Sequence, residues 1–213
     1  DHIIHLSGAG IADKRWTKER MRVLYSSRVD AAALLHREME KAGAWPKSFI
    51  SASGINYYGA VTTDHIFTEN DPPANDTIGK LTHAWEAAAD AWAPHCRVVK
   101  LRTSVVLARE GGAWQILATP ARFGLSAPLG SGKQWMPWVH VDDVAEIFAY
   151  AVNNEISGVW NAVAPEPVRN SEFTRALASA LGRPALFPVP RAALKLAFGE
   201  FARHMLDSAR VVP

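Results

Sequence analysis

The sequence predicts an α/β fold, a doubly wound parallel sheet with a small C-terminal α/β lobe. Three observations carry that expectation. Short β-type runs alternate with apolar stripes of helical spacing through the first 110 residues. Each run is separated from the next by a helix-length segment, the crossover that parallel strands need. Past residue 110 the texture changes, with glycine and proline frequent at Gly111, Gly112, Pro120, Gly124, Pro128, Gly130 and Gly132. The boundaries expected are 1–110 for the sheet domain and 111–213 for the lobe, with segments of the latter returning to the sheet.

Ile3-Ile4-His5-Leu6 is the first strand-like run, and it ends in the small-residue turn Ser7-Gly8-Ala9-Gly10. Such a strand end is a common ligand-facing edge in an open α/β sheet. From about 16 to 42, Met21, Leu24, Ala31, Leu34, Leu35 and Met39 fall at helical spacing, and Gly43 and Pro46 close the helix. Residues 48–53, Ser-Phe-Ile-Ser-Ala-Ser, read as a second buried strand. A polar loop from about 60 to 77 precedes an amphipathic helix marked by Leu81, Ala84, Trp85, Ala88 and Trp92. Val98-Val99-Lys100-Leu101 opens a third strand, with Val105-Val106-Leu107 as a candidate continuation. Asp143 with Glu146 resembles a capping box ahead of a stripe of Val144, Ile147, Phe148 and Ala151. Residues 159–163 read as a strand, Asn170 or Ser171 caps a helix ended by Gly182, and about 190–206 forms a last helix.

Hydrophobic residues make up 48% of the 213-residue chain and charged residues 21%, enough apolar surface for a sizeable core. The formal net charge of +2 gives no electrostatic footprint for nucleic acid or a membrane surface. The one cysteine, Cys96, excludes an internal disulfide and fits a reducing compartment. No apolar run approaches the ~20 residues of a membrane span, and no signal peptide is visible, so the expected location is cytoplasmic. HExxH, CxxC and carboxylate clusters of ligand spacing are absent, and His2 and His5 fall on opposite faces of a strand, so no metal site is expected.

Several side chains stand out by position. Arg28 lies on the apolar stripe between Leu24 and Ala31, where a guanidinium needs a carboxylate or phosphate. It either anchors a ligand or the neighbouring loop, or forms a structural ion pair. Ser53 ends a buried strand, the place where α/β active sites gather. Tyr57 and Tyr58 follow in a turn containing glycine. His140, two residues before Asp142-Asp143, offers an acid/base or metal cluster; the plainer reading is that Asp143 caps the helix and His140 packs under a cleft.

Ordered motifs extend this reading. The run at 3–8, SASGINYYG at 51–59, Leu101-Arg102-Thr103 and WVHVDDVA at 138–145 resemble an extended short-chain dehydrogenase/reductase of the sugar-nucleotide epimerase/dehydratase kind. GAGIADKRWT at 8–17, WEAAA at 85–89, LGSGKQWMPWVHVDD at 129–143 and NAVAPEPVRNSEF at 161–173 are similar to an atypical branch of that superfamily. The branch is labelled NAD(P)-dependent epimerase-like, and some members are labelled cell-division inhibitors. The resemblance implies a Rossmann-like fold. It implies cofactor contacts at Leu6, Ser7, Gly8, Ala9, Arg28, Ser51, Ala52, Arg102 and Val105, with Val105 read equally well as core. It implies substrate contacts at Tyr57, Gln134, Trp135, Trp138 and His140.

Two departures from the family pattern matter. No G-x-x-G-x-x-G turn is present, so the resemblance places Asp1 at the start of the family's fourth strand, in the middle of the sheet, with the C-terminus also short of the family's. The family's catalytic Y-x-x-x-K falls, in register with Trp85-Glu86, on Ile78 and Thr82, neither of which can pass a proton as that pair does at neutral pH. Lys80 is about 200° from Ile78 around the helix. Ser53 and Tyr58 are then the catalytic candidates that remain. The expected function is an NAD(P)-binding epimerase- or reductase-like protein, preferring NADPH to NAD, acting on a small molecule such as a nucleotide sugar, as a monomer or homodimer. The alternative is a regulatory NADPH sensor with little turnover; a cell-division interaction module ranks last.

Overall fold

The computed structural model describes residues 1–213. Strand β1 (His2–His5) leads through a loop into a long helix in three pieces: α1 (Lys18–Tyr25), a π turn (Ser26–Asp30) and α2 (Ala31–Ala42). Thr17 caps α1 by accepting from the Arg20 backbone N–H, and Gly43, at φ 60°, terminates α2 in the left-handed conformation. Strand β2 (Ser48–Gly54) runs into a 3₁₀ turn (Ile55–Tyr58). Then come β3 (Ile66–Phe67), α3 (Thr77–Asp90), β4 (Arg97–Thr103), β5 (Val105–Ala108) and α4 (Gly112–Arg122). The rest is β6 (Trp138–His140), α5 (Val141–Asn153), β7 (Gly158–Ala162), α6 (Asn170–Ala180), α7 (Arg191–Phe198), α8 (Ala202–Leu206) and β8 (Arg210–Val211).

The main sheet has the order β1-β2-β4-β7, and every pair in it is parallel. Adjacent residues of a strand point to opposite faces, and both faces are covered. Phe49 and Val98 point to one side and pack with Ala32, Ala89 and Trp92 of the α2–α3 layer. Ile50, Val99 and Leu101 point to the other and pack with Ala151 of α5. The near-continuous apolar runs in β2 and β4 reflect this burial on two sides, so the architecture is a doubly wound, Rossmann-like α/β sheet.

Four expectations are corrected. The run at 105–107 does not prolong β4: the chain breaks at Ser104, whose N–H and hydroxyl both donate to the Ala162 carbonyl, and β5 pairs instead with β6. Within these residues strand β1 pairs on one side, with β2. His140, not Asp143, caps α5, its ring accepting from the Asp142 backbone N–H, while Asp142 and Asp143 sit in the first turn where the helix dipole favours them. Arg169 precedes α6, and Asn170, the first helical residue, turns its carboxamide to the Leu129 N–H. The last helix is two, parted at Gly199, whose φ of 61° ends α7. Helix α5 and strand β7 return to the main sheet, while α6 to α8 and their loops form the smaller part.

Candidate functional site

A crevice of about 200 Å³ opens at the carboxyl ends of β2 and β4, beside the loop that leaves β1. In open α/β sheets, ligands bind outside the carboxyl ends of the strands. Arg28 and Trp85 form one wall, Ser53 and Asn56 come from β2 and its following turn, and Ile78 and Thr82 come from α3. Two larger openings exist, about 630 Å³ between α1 and the start of α3 and about 580 Å³ along α5 and β7. Neither lies at the ends of β2 and β4.

The floor beneath the crevice is a saturated polar network. Arg102 on β4 makes a two-pronged bond to Glu86 on α3, Nε to Oε1 at 2.8 Å and Nη2 to Oε2 at 2.9 Å. Ser53 donates to the same Oε1 at 2.7 Å. Arg102 Nη1 donates to the Tyr58 hydroxyl at 2.8 Å, and that hydroxyl is within donating distance of Asn161 Oδ1 and the Thr68 carbonyl. The guanidinium lies 3.4 Å from the Tyr57 ring centroid, a cation–π stack. Burial alone would lower the Arg102 pKa, but the bonds and charge of Glu86 outweigh it and hold the guanidinium above its ordinary value. Burial raises the pKa of the Tyr58 phenol, and that of Tyr57.

The opposite wall is built differently. The π turn carries a backbone bond from Ala31 N–H to Ser26 carbonyl, five residues apart, a widening of the helix often found at functional sites. Ser27 and Arg28 on this turn clamp the loop after β1: Ala9 N–H donates to Ser27 Oγ at 3.0 Å and Arg28 Nη2 donates to the Ala9 carbonyl at 2.9 Å. Arg28 Nη1 donates to the Leu24 carbonyl, and its guanidinium lies 5.0 Å from the Trp85 ring centroid. Gly8 is packed flat against it, and a Cβ there would stand 3.0 Å from Arg28 Cζ. No carboxylate answers this charge. Burial and the like charge of Arg20 both lower its pKa.

The structure therefore brings Ser53 and Arg28 together at one crevice with Ile78 and Thr82, the positions that the resemblance sets against the family's tyrosine and lysine. Thr82 donates back to the Ile78 carbonyl of its own helix. Lys80 is exposed on another face of α3. Tyr58, expected at the reacting centre, is instead 2% exposed with its hydroxyl committed to the network below, and it does not line the crevice. Arg102, expected against the cofactor, is spent on Glu86 and Tyr58. Ser51 and Ala52 lie within β2, Ser51 bonding the Ala52 carbonyl; Leu6, Ser7 and Gly8 are exposed on the loop after β1.

The expected substrate contacts lie outside the crevice, Tyr57 among them, its ring stacked on Arg102. Gln134 ties the Leu129 and Met205 carbonyls together. Trp135 donates to the Thr63 carbonyl beneath the Arg169 guanidinium, 3.5 Å from its ring centroid. Val105 and Trp138 face each other across the β5–β6 pair, and His140 is an exposed cap. No group of three His, Cys, Asp or Glu side chains is placed to hold a metal, and no helix is long and apolar enough to cross a membrane.

Sequence reasoning missed Glu86, Asn56 and Asn161. Glu86 had a usable signal: with Ile78 and Thr82 it recurs every four residues on the buried face of α3. A lone acid on an apolar helix face and a lone Arg102 in a buried strand call for each other.

Comparison with known proteins places this geometry. The model of the "NAD dependent epimerase/dehydratase family" matches residues 1–162. The mouse protein "Epimerase family protein SDR39U1" is 38% identical over 218 residues, covering 100% of this chain and 74% of the mouse protein. The crystal structure of human epimerase family protein SDR39U1 (isoform 2) with NADPH superposes with a TM-score of 0.93 at 34% identity, over 100% of this chain and 74% of that one. UDP-glucose 4-epimerase of Thermus thermophilus, solved with NAD, shares the fold at a TM-score of 0.73 and 21% identity, over 89% of this chain and 65% of that one.

Proposed function

This chain belongs to the NAD dependent epimerase/dehydratase family, and from that premise we propose that it binds NADPH at the crevice and serves as a reductase- or epimerase-like protein for a small molecule. The observation that carries the reading is the crevice itself, set at the carboxyl ends of parallel strands and lined by Ser53, Arg28 and the two α3 positions of the family's proton-handling pair. The NADPH in the human relative's structure supports this cofactor over NAD.

The residues present fit the nicotinamide end of such a cofactor. Gly8 leaves the β1 loop without a Cβ, so backbone approaches closely, and Arg28 and Ser27 hold that loop in place. Ile78 and Trp85 give apolar wall, and Ser53 and Thr82 give hydroxyl lone pairs whose protons are already spent inside the protein. When bound, a reduced nicotinamide supplies hydride. The chain's part is to orient that ring, exclude water and hold the substrate oxygen. Ser53 accepts a hydrogen bond from a substrate hydroxyl, and Glu86 fixes the direction of its lone pairs. Tyr58 enters as a positioning residue, holding Arg102 and through it Glu86.

One observation favours a second reading. Tyr58 is walled off from the crevice, and Ile78 and Thr82 replace the tyrosine and lysine. A site without a proton carrier suits a protein that holds NADPH and turns it over slowly or not at all. Titration of the chain with NADPH, followed by tryptophan quenching, decides the first point: saturable quenching is expected, and its absence overturns both readings. Loss of reduced-nicotinamide absorbance with small carbonyl compounds, and chromatography of nucleotide sugars for redox-neutral epimerisation, decide the second. Turnover that falls on Ser53→Ala identifies the enzyme; binding without turnover identifies the sensor.

A further inference from the structure

Arg28 is the feature that the proposed site does not use up. It is 6% exposed and lines the crevice, yet at most three of its five N–H donors are spent, on the Leu24 and Ala9 carbonyls and the Ser27 hydroxyl. None of these acceptors carries charge. Of the buried arginines and acids around the crevice, Glu86 and Arg102 neutralise each other completely, which leaves Arg28 as uncompensated positive charge. The stack on Trp85 returns only part of the lost hydration. No acidic side chain lines the crevice. A guanidinium held this way, out of water and with donors to spare, is a receptor for an oxyanion.

We propose that Arg28 binds a carboxylate or phosphate group of the substrate, so that the molecule handled here is a small anionic carbonyl or hydroxyl compound. This rests on the reading of the crevice as the nicotinamide end of an NADPH site. The phosphates of a dinucleotide are set off from its nicotinamide by a ribose. Arg28 shares its crevice with Ser53, Ile78 and Thr82, at the reacting end, where the anion to be met is the substrate's own. Asn56 lines the same crevice and adds a carboxamide suited to a neighbouring oxygen. The crevice, at about 200 Å³, is smaller than the ~300–1,000 Å³ of pockets that bury drug-sized ligands, which suits a compact acid better than a whole nucleotide sugar.

The test uses the full chain and four probes: oxamate, its neutral counterpart oxamide, inorganic phosphate and NADPH. Calorimetric titration of the wild type should detect oxamate or phosphate and not oxamide, and which of the two binds more tightly identifies carboxylate or phosphate as the group read. Arg28→Met should weaken that anion by about tenfold or more, and by several-fold more than it weakens NADPH, which loses only the clamp on the β1 loop. Arg28→Lys, which keeps the charge and loses the planar fork, should fall between. Because Arg28 also clamps the β1 loop, circular dichroism is run on both variants; where Arg28→Met does not fold, Arg28→Lys carries the comparison, with a larger fall in anion binding than in NADPH affinity expected. Three results overturn the proposal: no anion binding by the wild type, anion binding indifferent to Arg28, or equal loss of NADPH and anion. Arg28-dependent anion binding in a chain that ignores NADPH would instead sink the cofactor reading and leave this one standing.

Discussion

Arg28 and Arg102 are buried almost equally, at 6% and 2% exposed, but Arg28 lines the crevice and Arg102 lies in the network beneath it. Their surroundings could hardly differ more. Arg102 meets a carboxylate in a two-pronged bond, a phenol oxygen and an aromatic face. Arg28 meets backbone carbonyls, one hydroxyl and an indole. A matched charge in the interior is architecture: it fixes β4 to α3 and leaves nothing over for a ligand. An unmatched one costs desolvation that the fold alone does not return. The contrast separates the part of the site that holds shape from the part that is open to chemistry.

The largest test of this contrast removes the matched partner. Glu86→Ala strands Arg102 in the interior, and breaking a buried pair from one side costs about 3–5 kcal/mol. For a chain of this size that lowers Tm by roughly 6–20 °C, readable by circular dichroism. The double variant Glu86→Leu with Arg102→Met should recover most of the loss, since it leaves no charge unpaired. Arg102→Met alone should also destabilise more than Arg28→Met, because only the former abandons a carboxylate. Equal losses for the two arginine variants would erase the distinction drawn between them.

A smaller effect sharpens the role of Tyr58. Its hydroxyl joins Arg102, Asn161 and the Thr68 carbonyl in a place water does not reach. Tyr58→Phe leaves those partners short of one bond, a cost of about 1–3 kcal/mol. The expected signature is a lower Tm with NADPH affinity held within about twofold. A large fall in NADPH oxidation at unchanged Tm would return Tyr58 to the reacting centre.

How much of this was legible beforehand follows the same division. The strands β2 and β4 read clearly because burial on two faces leaves long apolar runs, and the long helices read from their stripes. Arg28 was visible because one charge interrupts an apolar stripe. What stayed hidden was where a polar side chain spends its bonds. Ser53 and Tyr58 lie in one motif, 51–59, yet a single 3₁₀ turn sends the tyrosine under the sheet while the serine stays at the crevice. Gln134, Trp135 and His140 were expected as cleft residues through the family resemblance of their segment, which does not say where their bonds go. Loop conformation, set by long-range bonds such as Gln134 to the Met205 carbonyl, spends them on holding the lobe together. The break at Ser104 was equally unreadable, since two strands separated by one serine pattern like one.

The smallest effect concerns a residue in Arg28's predicament that has an escape. His5 is 2% exposed, its ring nitrogens have no partner, and it stacks on Phe49 at 5.5 Å between centroids. Unlike a guanidinium, an imidazole sheds its charge, and burial holds the folded-state pKa below the ordinary value of 6.5. Above 6.5 both folded and unfolded chains carry neutral His5, and no penalty arises. As pH falls below that value the unfolded chain takes up the proton first, so stability drops. His204, also lowered by burial, acts in the same direction, so His5 accounts for a share of the slope rather than all of it. His5→Leu keeps the packing against Phe49 and removes the titration. Its stability relative to wild type should therefore rise as pH is lowered from about 8 toward about 5.5, measured by denaturant melts at each pH. A difference that stays flat across that range would mean that His5 finds a partner for its proton in the folded protein, and that burial without a counter-charge is less costly on β1 than it is for Arg28.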